Sequence, residues 1–417
     1  MTEISELPTT SSFEVDAVRA HFPALREGGA HFDGPGGSQT PDVVGQAIYD
    51  TITGPLSNRG RTTAAERNAE DAVAGCRTAV ADLLRVEPNG VIFGRSMTQL
   101  TFDLARTIAR RWGPGDEVVV TRLDHDANVR PWVLAAERVG ATVRFADFDP
   151  VTGELDPTQI ERVLSPATRL VAVTAASNLI GTMPDLPAIS QLAHAVGAWL
   201  YVDGVHYTAH APVDVQQLGA DFFACSPYKF LGPHCAAVYG HPDILEQLNP
   251  DKLLPSPNTV PERFELGTLP YELMAGTTAA VDFLADLTAG SHVGQAGPGA
   301  SRRDRLTASM TALEAHEENL RRRIESGLTA LPAVTIHSRA ARRTPTLLVT
   351  VDGHDVQQLS RALADRHINA PAGAFYAYEA SRRLGLGTSG GLRIGLAPYN
   401  NTADVDRLVD ALTALLR

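Results

Sequence analysis

Cysteine is scarce in this chain: three residues in 417, Cys76, Cys225 and Cys235. Their spacing matches neither a zinc site nor a disulfide framework. That excludes a small disulfide-stapled fold and fits a reducing compartment, expected to be the cytoplasm. Long apolar runs are missing as well. No stretch approaches the roughly 20 residues that span a bilayer. The opening "MTEISELPTTSSFEVD" has neither the basic start nor the apolar core of a secretory leader. Excess positive charge is also absent. Lys and Arg number 36 against 48 Asp and Glu, a formal net charge of −12, so non-specific attachment to nucleic acid or anionic membrane is not expected. No metal site is expected either: Asp203 and His206 would be half of one, with no further ligand at suitable spacing.

What is present reads as a soluble globular protein large enough for more than one domain. From Val91 onward, short β-branched runs alternate with amphipathic stretches. The runs are "GVIFG", "DEVVVT", "TVRFADF", "RLVAVTA", "AWLYVDG", "DFFACS" and "AAVYG". This alternation predicts an α/β unit around a largely parallel sheet. After about Pro270 the texture changes to a helix, a Gly-rich loop "AGSHVGQAGPGAS", and a long helical pattern from about Arg302 to Leu328. Strand-like "AVTIHS", "PTLLVTVDG" and "GLRIGLA" follow, with helices between and after them. The expected division is an N-terminal segment (1–30), a large α/β domain (31–275) and a smaller C-terminal α+β domain (276–417) packing with the N-terminal segment. The first 15 or so residues read as disordered, and "VRAHFPAL" as a short helix. The basic "NLRRRIES" reads as a solvated helix face, because Glu317 and Glu318 precede Arg321 and Arg322 by four residues.

In an open α/β sheet, ligands bind beyond the carboxyl ends of the strands. Those ends are polar here. After "VIFG" come Ser96, Met97 and Thr98; after "EVVVT", His125; after "LVAVT", Asn178; after "LYV", Asp203 and then His206; after "DFFAC", Ser226 and Lys229. Each has an ordinary structural explanation. Ser96 suits a helix N-cap, His125 a satisfied loop histidine, Asp203 a turn cap, and Lys229 a solvated surface lysine. Together they meet the demands of pyridoxal 5′-phosphate. A lysine amine captures the aldehyde. Helix N-terminal amides and the hydroxyls of Ser96, Thr98 and Ser226 suit the phosphate. Asp203 would face the ring nitrogen, His125 the ring face, and His206 the phenolic oxygen.

Several stretches resemble the class V aminotransferase group of fold-type I pyridoxal phosphate enzymes, the relatives of cysteine desulfurase and isopenicillin N epimerase. These are "YVDGVHYTAHAPVDVQQLGADFFACSPYKFLGP", "DHDANVRPW", "SNLIGT", "FELGT" and "GLRIGLAPYNNTADVDRLVDAL". The resemblance spans most of the chain, from "FDGPGGSQTP" onward. It implies the type I transferase fold, with a mostly parallel seven-stranded sheet in the large domain, and a homodimer with shared active sites. It implies that Lys229 forms the Schiff base, Asp203 partners the pyridine nitrogen and His125 stacks on the ring. Asn178 would lie near the phenolic oxygen or the substrate carboxylate. Arg393 would grip the substrate α-carboxylate, and Thr268 would reach a neighbouring subunit's phosphate. The substrate pocket would include Gly37 and Ser38 of "GPGGSQ", which a plain turn explains equally, and Phe375 and Tyr376, which core packing explains equally.

Two departures bear on the reaction. The desulfurases carry a sulfur-attacking cysteine in the C-terminal domain, and here no cysteine follows Cys235. Tyr228 and His206 stand where desulfurases usually have His and Gln. The favoured expectation is therefore a C–S β-lyase acting on an S-substituted cysteine, in specialised metabolism. The alternatives are an aminotransferase, a decarboxylating or oxidative deaminase, an epimerase, or a catalytically inactive cofactor-binding protein.

Overall fold

The computed structural model describes residues 13–288 and 299–417. The expected disorder at the start falls mainly on residues 1–12, and the Gly-rich loop mainly on 289–298, both outside the described residues. "VRAHFPAL" is not one helix. A helical turn, Val15–Arg19, is followed by a 3-10 turn, Pro23–Glu27, because Pro23 has no N–H with which to continue the first.

A two-residue strand, β1 (Ala30–His31), comes first. Seven strands follow: β2 (Val91–Gly94), β3 (Glu117–Thr121), β4 (Thr142–Ala146), β5 (Thr168–Thr174), β6 (Trp199–Asp203), β7 (Phe222–Cys225) and β8 (Ala236–Gly240). They are the seven runs read from the sequence, and they form one sheet in the order β2-β8-β7-β6-β5-β3-β4. β8 is antiparallel to both its neighbours. The other pairings are parallel, so six carboxyl ends share one edge. The chain passes outward from β3 to β4 and returns to β5 on the other side of β3. This reversal opens a crevice between the loops after β3 and β5.

Alternation along the strands splits the core into two layers. Val119, Val171, Val173, Leu200, Val202 and Phe223 face one side. Val118, Val120, Leu170, Ala172, Tyr201 and Phe222 face the other. Five strands come later: β9 (Val334–Ile336), β10 (Thr346–Val351), β11 (Ile368–Asn369), β12 (Ala372–Gly373) and β13 (Gly391–Gly395). Four of them make an antiparallel sheet, β12-β13-β10-β9, while β11 pairs with β1. That pairing is parallel, Ala30 opposite Ile368, and a third apolar cluster fills the space around it.

Helices α1 (Asp42–Thr53), α2 (Ala64–Leu84), α3 (Met97–Ala109), α4 (Arg130–Val139), α5 (Tyr271–Ala285) and α6 (Arg302–Thr329) matter most for the site. α2 starts at a capping box: Thr63 Oγ1 accepts the Glu66 N–H, and Glu66 accepts the Thr63 N–H. On α6 the basic run departs from the expected solvated face. Arg322 pairs with Glu318 as expected. Arg321, however, is buried between Glu318 and Glu325. Glu317 turns inward and meets His210 Nδ1 at 2.8 Å. The helix lies against the body on the side that carries Glu317 and Arg321, which spacing alone does not reveal.

A buried fork joins α2 to the segment leading into α5. Arg77 donates to both carboxylate oxygens of Glu265, at 3.0 and 3.1 Å, and Glu265 also accepts the Phe93 N–H of β2. Removing one partner strands the other charge, at a cost of about 3–5 kcal/mol. Arg77→Ala is therefore expected to lower the urea midpoint sharply, whereas Arg322→Ala, which breaks only the exposed pair with Glu318, should cost less than about 1 kcal/mol.

Candidate functional site

Nine of the residues singled out from the sequence lie at or just beyond the ends of strands of the large sheet, and the fold brings them to one crevice. Its inner part is lined by Ser96, Met97, Thr98, His125, Asn178, Asp203, His206, Ser226 and Lys229, among others. It opens into an outer cavity of about 690 Å³ that shares Thr98, His125, Asn178, Tyr228 and Lys229. Phe102, Asp126, Arg130, Phe375, Tyr376, Arg393 and Gly36 line the outer part only.

Lys229 ends a 3-10 turn after β7, and its Nζ donates to the Pro35 carbonyl. Leu231, two residues on, is left-handed at φ 71°, an uncommon conformation for a residue with a branched side chain. Its N–H donates to Ser38 Oγ at 2.9 Å, and Ser38 Oγ donates to the Tyr228 carbonyl at 3.2 Å. Ser38 thus ties down the lysine turn. Neither it nor Gly37 lines the cavities; Gly36 does. Thr268 is exposed and lines neither cavity.

Burial and the nearby Arg393 push the Lys229 amine down to about 7, with Asp203 pulling the other way. Burial pushes Asp203 up to about 6, opposed by the Val205 N–H on its Oδ1 and by Lys229. Gly204 follows; a Cβ there would lie 2.0 Å from the Phe223 ring, so only glycine lets the chain turn at this point. His125 Nδ1 accepts the Ala127 N–H at 3.0 Å, which leaves its ring proton on Nε2. Burial, then Lys229 and Arg393, push it down to about 4. It is a neutral ring, with Tyr376 at 5.6 Å between centroids.

Arg393 lies on β13, opposite Leu348 of β10, and is 2% exposed. Its guanidinium carbon stands 3.6 Å from the Phe375 ring centre, and Nη1 donates to the Asn178 carbonyl at 3.0 Å. Burial pushes its pKa down to about 9, opposed by Asp33 and Tyr228. Asn178 Nδ2 in turn donates to the Phe375 carbonyl at 2.9 Å. Phe375 and Tyr376 are both left-handed, φ 50° and 57°. The Tyr376 carbonyl accepts the Asp126 N–H at 2.8 Å, which anchors the strained loop over the crevice.

The residues fit pyridoxal phosphate on three observations. Asn178 Oδ1, His206 Nδ1 and Arg393 Nε are buried without a partner, and their residues line the crevice. His206 Nε2 lies 3.0 and 2.9 Å from the hydroxyls of Thr344 and Thr346; a hydroxyl donating to Nε2 leaves the proton on Nδ1, the atom without a partner. The N-terminus of α3 points its first amides at the inner part. Ser96 caps that helix, accepting the Gln99 N–H at 3.1 Å, so its hydroxyl is engaged as the structural reading foresaw. The amides of Met97 and Thr98 have no acceptor among the described residues, as an anion site requires.

Sequence reasoning missed four groups. Asp124, the residue before His125, is buried; Thr121 donates to it, and Asn128 Nδ2 does so at 2.7 Å. Its carboxyl is pushed up to about 8, chiefly by burial. Phe102, Asp126 and Arg130 line the outer cavity. Asp126 and Arg130 lie four apart, and that spacing was the available clue.

The chain matches the family described as aminotransferase class-V over residues 30–408. It is 34% identical to an uncharacterised protein of Mycobacterium tuberculosis, over 97% of this chain and all of that one. It is 31% identical to an aminotransferase-like protein of Gibberella zeae, over 98% of this chain and all of that one. The crystal structure of the cysteine desulfurase CsdA from Escherichia coli superposes with a TM-score of 0.83 at 26% identity, covering 96% of this chain and 98% of that one.

A lysine at about 7 is about a tenth neutral at pH 6 and about nine-tenths neutral at pH 8. In cofactor-free protein, covalent capture of added pyridoxal phosphate is therefore expected to speed up through pH 7. Arg393 lowers the lysine and Asp203 raises it, so Arg393→Met should move the midpoint up and Asp203→Asn should move it down. Stopped-flow absorbance at a series of pH values checks both signs.

Proposed function

The chain belongs to the aminotransferase class-V family, and from that premise we propose that it is a C–S β-lyase acting on S-substituted cysteines. It is a pyridoxal phosphate-dependent enzyme, a lyase or a transferase. When bound, the cofactor supplies an electron sink for the charge left on the substrate's Cα.

The observation that carries the finer reading is the make-up of the outer cavity. It gathers Lys229, Arg393 and the rings of Phe102, Tyr228, Phe375 and Tyr376, and no thiol among its lining residues. The three cysteines are buried elsewhere. Burial pushes Cys225 up to about 12 and Cys235 up to about 11, and raises Cys76 well above its ordinary value. None is a thiolate near neutral pH, so none is set to take sulfur from a substrate.

The roles of the side chains follow from their surroundings. Arg393 holds the α-carboxylate, with the Phe375 ring fixing the plane of its fork. His125 is a flat neutral ring for the cofactor face, Asp203 a carboxylate for its ring nitrogen, and His206 Nδ1 a donor for its phenolic oxygen. The α3 amides and Ser226 suit the phosphate. Lys229 Nζ takes the Cα proton. The Cα–H and Cβ–S bonds break, a Cα=Cβ bond forms, and sulfur leaves with its electron pair as a thiolate. The resulting 2-aminopropenoate takes up water and yields pyruvate and ammonium.

We also propose a homodimer acting in the cytoplasm. Tyr49 and Ile52 of α1, and Leu253, Leu254 and Leu266, stand exposed, Leu266 two residues from Thr268. Such apolar side chains suit an interface. Among the described residues no helix is long and apolar enough to cross a membrane.

S-Alkyl cysteines are expected to give stoichiometric pyruvate and free thiol, and Lys229→Ala to lower turnover at least about 100-fold. A keto acid that retains the alkylthio group, in place of pyruvate, would make the protein an aminotransferase instead. Light scattering is expected to return twice the chain mass of 44.5 kDa.

A further inference from the structure

The outer cavity has charged groups at two depths. Arg393, at the floor, is 2% exposed. Asp126 and Arg130 line the same cavity, with side chains 31% and 41% exposed, which places them at the rim. The apolar rings of Phe102 and Phe375 belong to the same wall.

The rim pair is under-used as an ion pair. Arg130 Nη2 meets Asp126 Oδ1 at 3.2 Å. This is the one side-chain hydrogen bond recorded for either residue among the described residues. Four of the five guanidinium N–H groups, and the second carboxylate oxygen, remain for other partners. Arg130 is also the first residue of α4, where a cation opposes the helix dipole. Asp126, by contrast, is held in place, since its N–H donates to Tyr376 of the strained loop.

A neutral pair with free donors on one member and a free acceptor on the other complements a zwitterion. Resting on the reading of the site as one for S-substituted cysteines, we propose that Arg130 and Asp126 form a subsite for a second α-amino acid head at the far end of the substrate. Arg130 takes its carboxylate and Asp126 its ammonium. Arg393 holds the first head, and the rings of Phe102 and Phe375 flank the sulfur-containing link. The substrate class is two amino acid units joined by a thioether or disulfide.

Calorimetric titration of the holoenzyme tests this with probes that lack a leaving group on Cβ. Norleucine carries one head, and 2,6-diaminopimelate carries two. Diaminopimelate is expected to bind about tenfold or more tightly than norleucine, the worth of one or two charge-assisted bonds. Arg130→Met and Asp126→Asn should each bring the ratio of the two Kd values toward one, and Arg130→Lys should keep part of it. Equal binding of the two probes by the unaltered protein overturns the proposal, as does a ratio that survives both substitutions. Neither probe can eliminate, so this readout is independent of pyruvate release. A preference for diaminopimelate without any lyase activity would keep the subsite and refute the reaction; pyruvate release without the preference would do the reverse.

Discussion

The site depends on keeping Arg393 charged in a place that disfavours charge. Burial alone would expel or neutralise a guanidinium. Here the Phe375 ring lies 3.6 Å from its central carbon and the Asn178 carbonyl accepts one N–H, while Nε has no partner. In the proposed reaction the substrate's carboxylate would supply an anion to this buried cation, and the energetic deficit of the site would become selectivity for amino acids. The same contact couples two sheets. Arg393 comes from β13 and Asn178 follows β5, so the small sheet cannot shift without disturbing the crevice of the large one. Two consecutive left-handed residues, Phe375 and Tyr376, are the strain that this arrangement sustains.

Burial and that cation together set the electrostatics of the floor. Burial first and Arg393 second lower Lys229, and burial, then Lys229 and Arg393, lower His125, giving a lysine that loses its proton near neutrality and a histidine that is neutral there. Asp203 pulls Lys229 the other way, while burial raises its own carboxyl to about 6, against the Val205 N–H and Lys229. Three titratable groups in one crevice thus have their values shifted by burial and by the charges around them.

Much of this arrangement was legible in the sequence, for a physical reason. Strands buried on both faces read as unbroken β-branched runs, so "DEVVVT" and "RLVAVTA" mark β3 and β5 almost to the residue. Once the strands are located, the polar residues just beyond them are the candidates, and that rule brought Ser96, His125, Asn178, Asp203, Ser226 and Lys229 to one edge. It failed where position depends on packing between distant segments. Asp126 and Arg130 have the spacing of an ordinary helical ion pair, and only the loop carrying Tyr376, some 250 residues later, makes them a cavity rim. Arg321 has the surroundings of a solvated arginine in sequence and is buried in the fold. Ser38 sits beside the glycines of a ligand-like turn, yet its hydroxyl is engaged by the backbone around Lys229.

The pairing of β1 with β11 bears on biosynthesis. Ala30 meets Ile368, Asp33 meets Gly395, and Arg19 pairs with Asp404 at 2.8 Å. Residues 19–33 therefore wait for partners that are made long after them. The large sheet closes from residues 91–240 and can assemble while the chain is still growing. Arg393 joins it only after β13 has been made. A nascent chain that stops short of β13 can carry the lysine turn and the α3 amides, but it lacks the buried cation of the outer cavity.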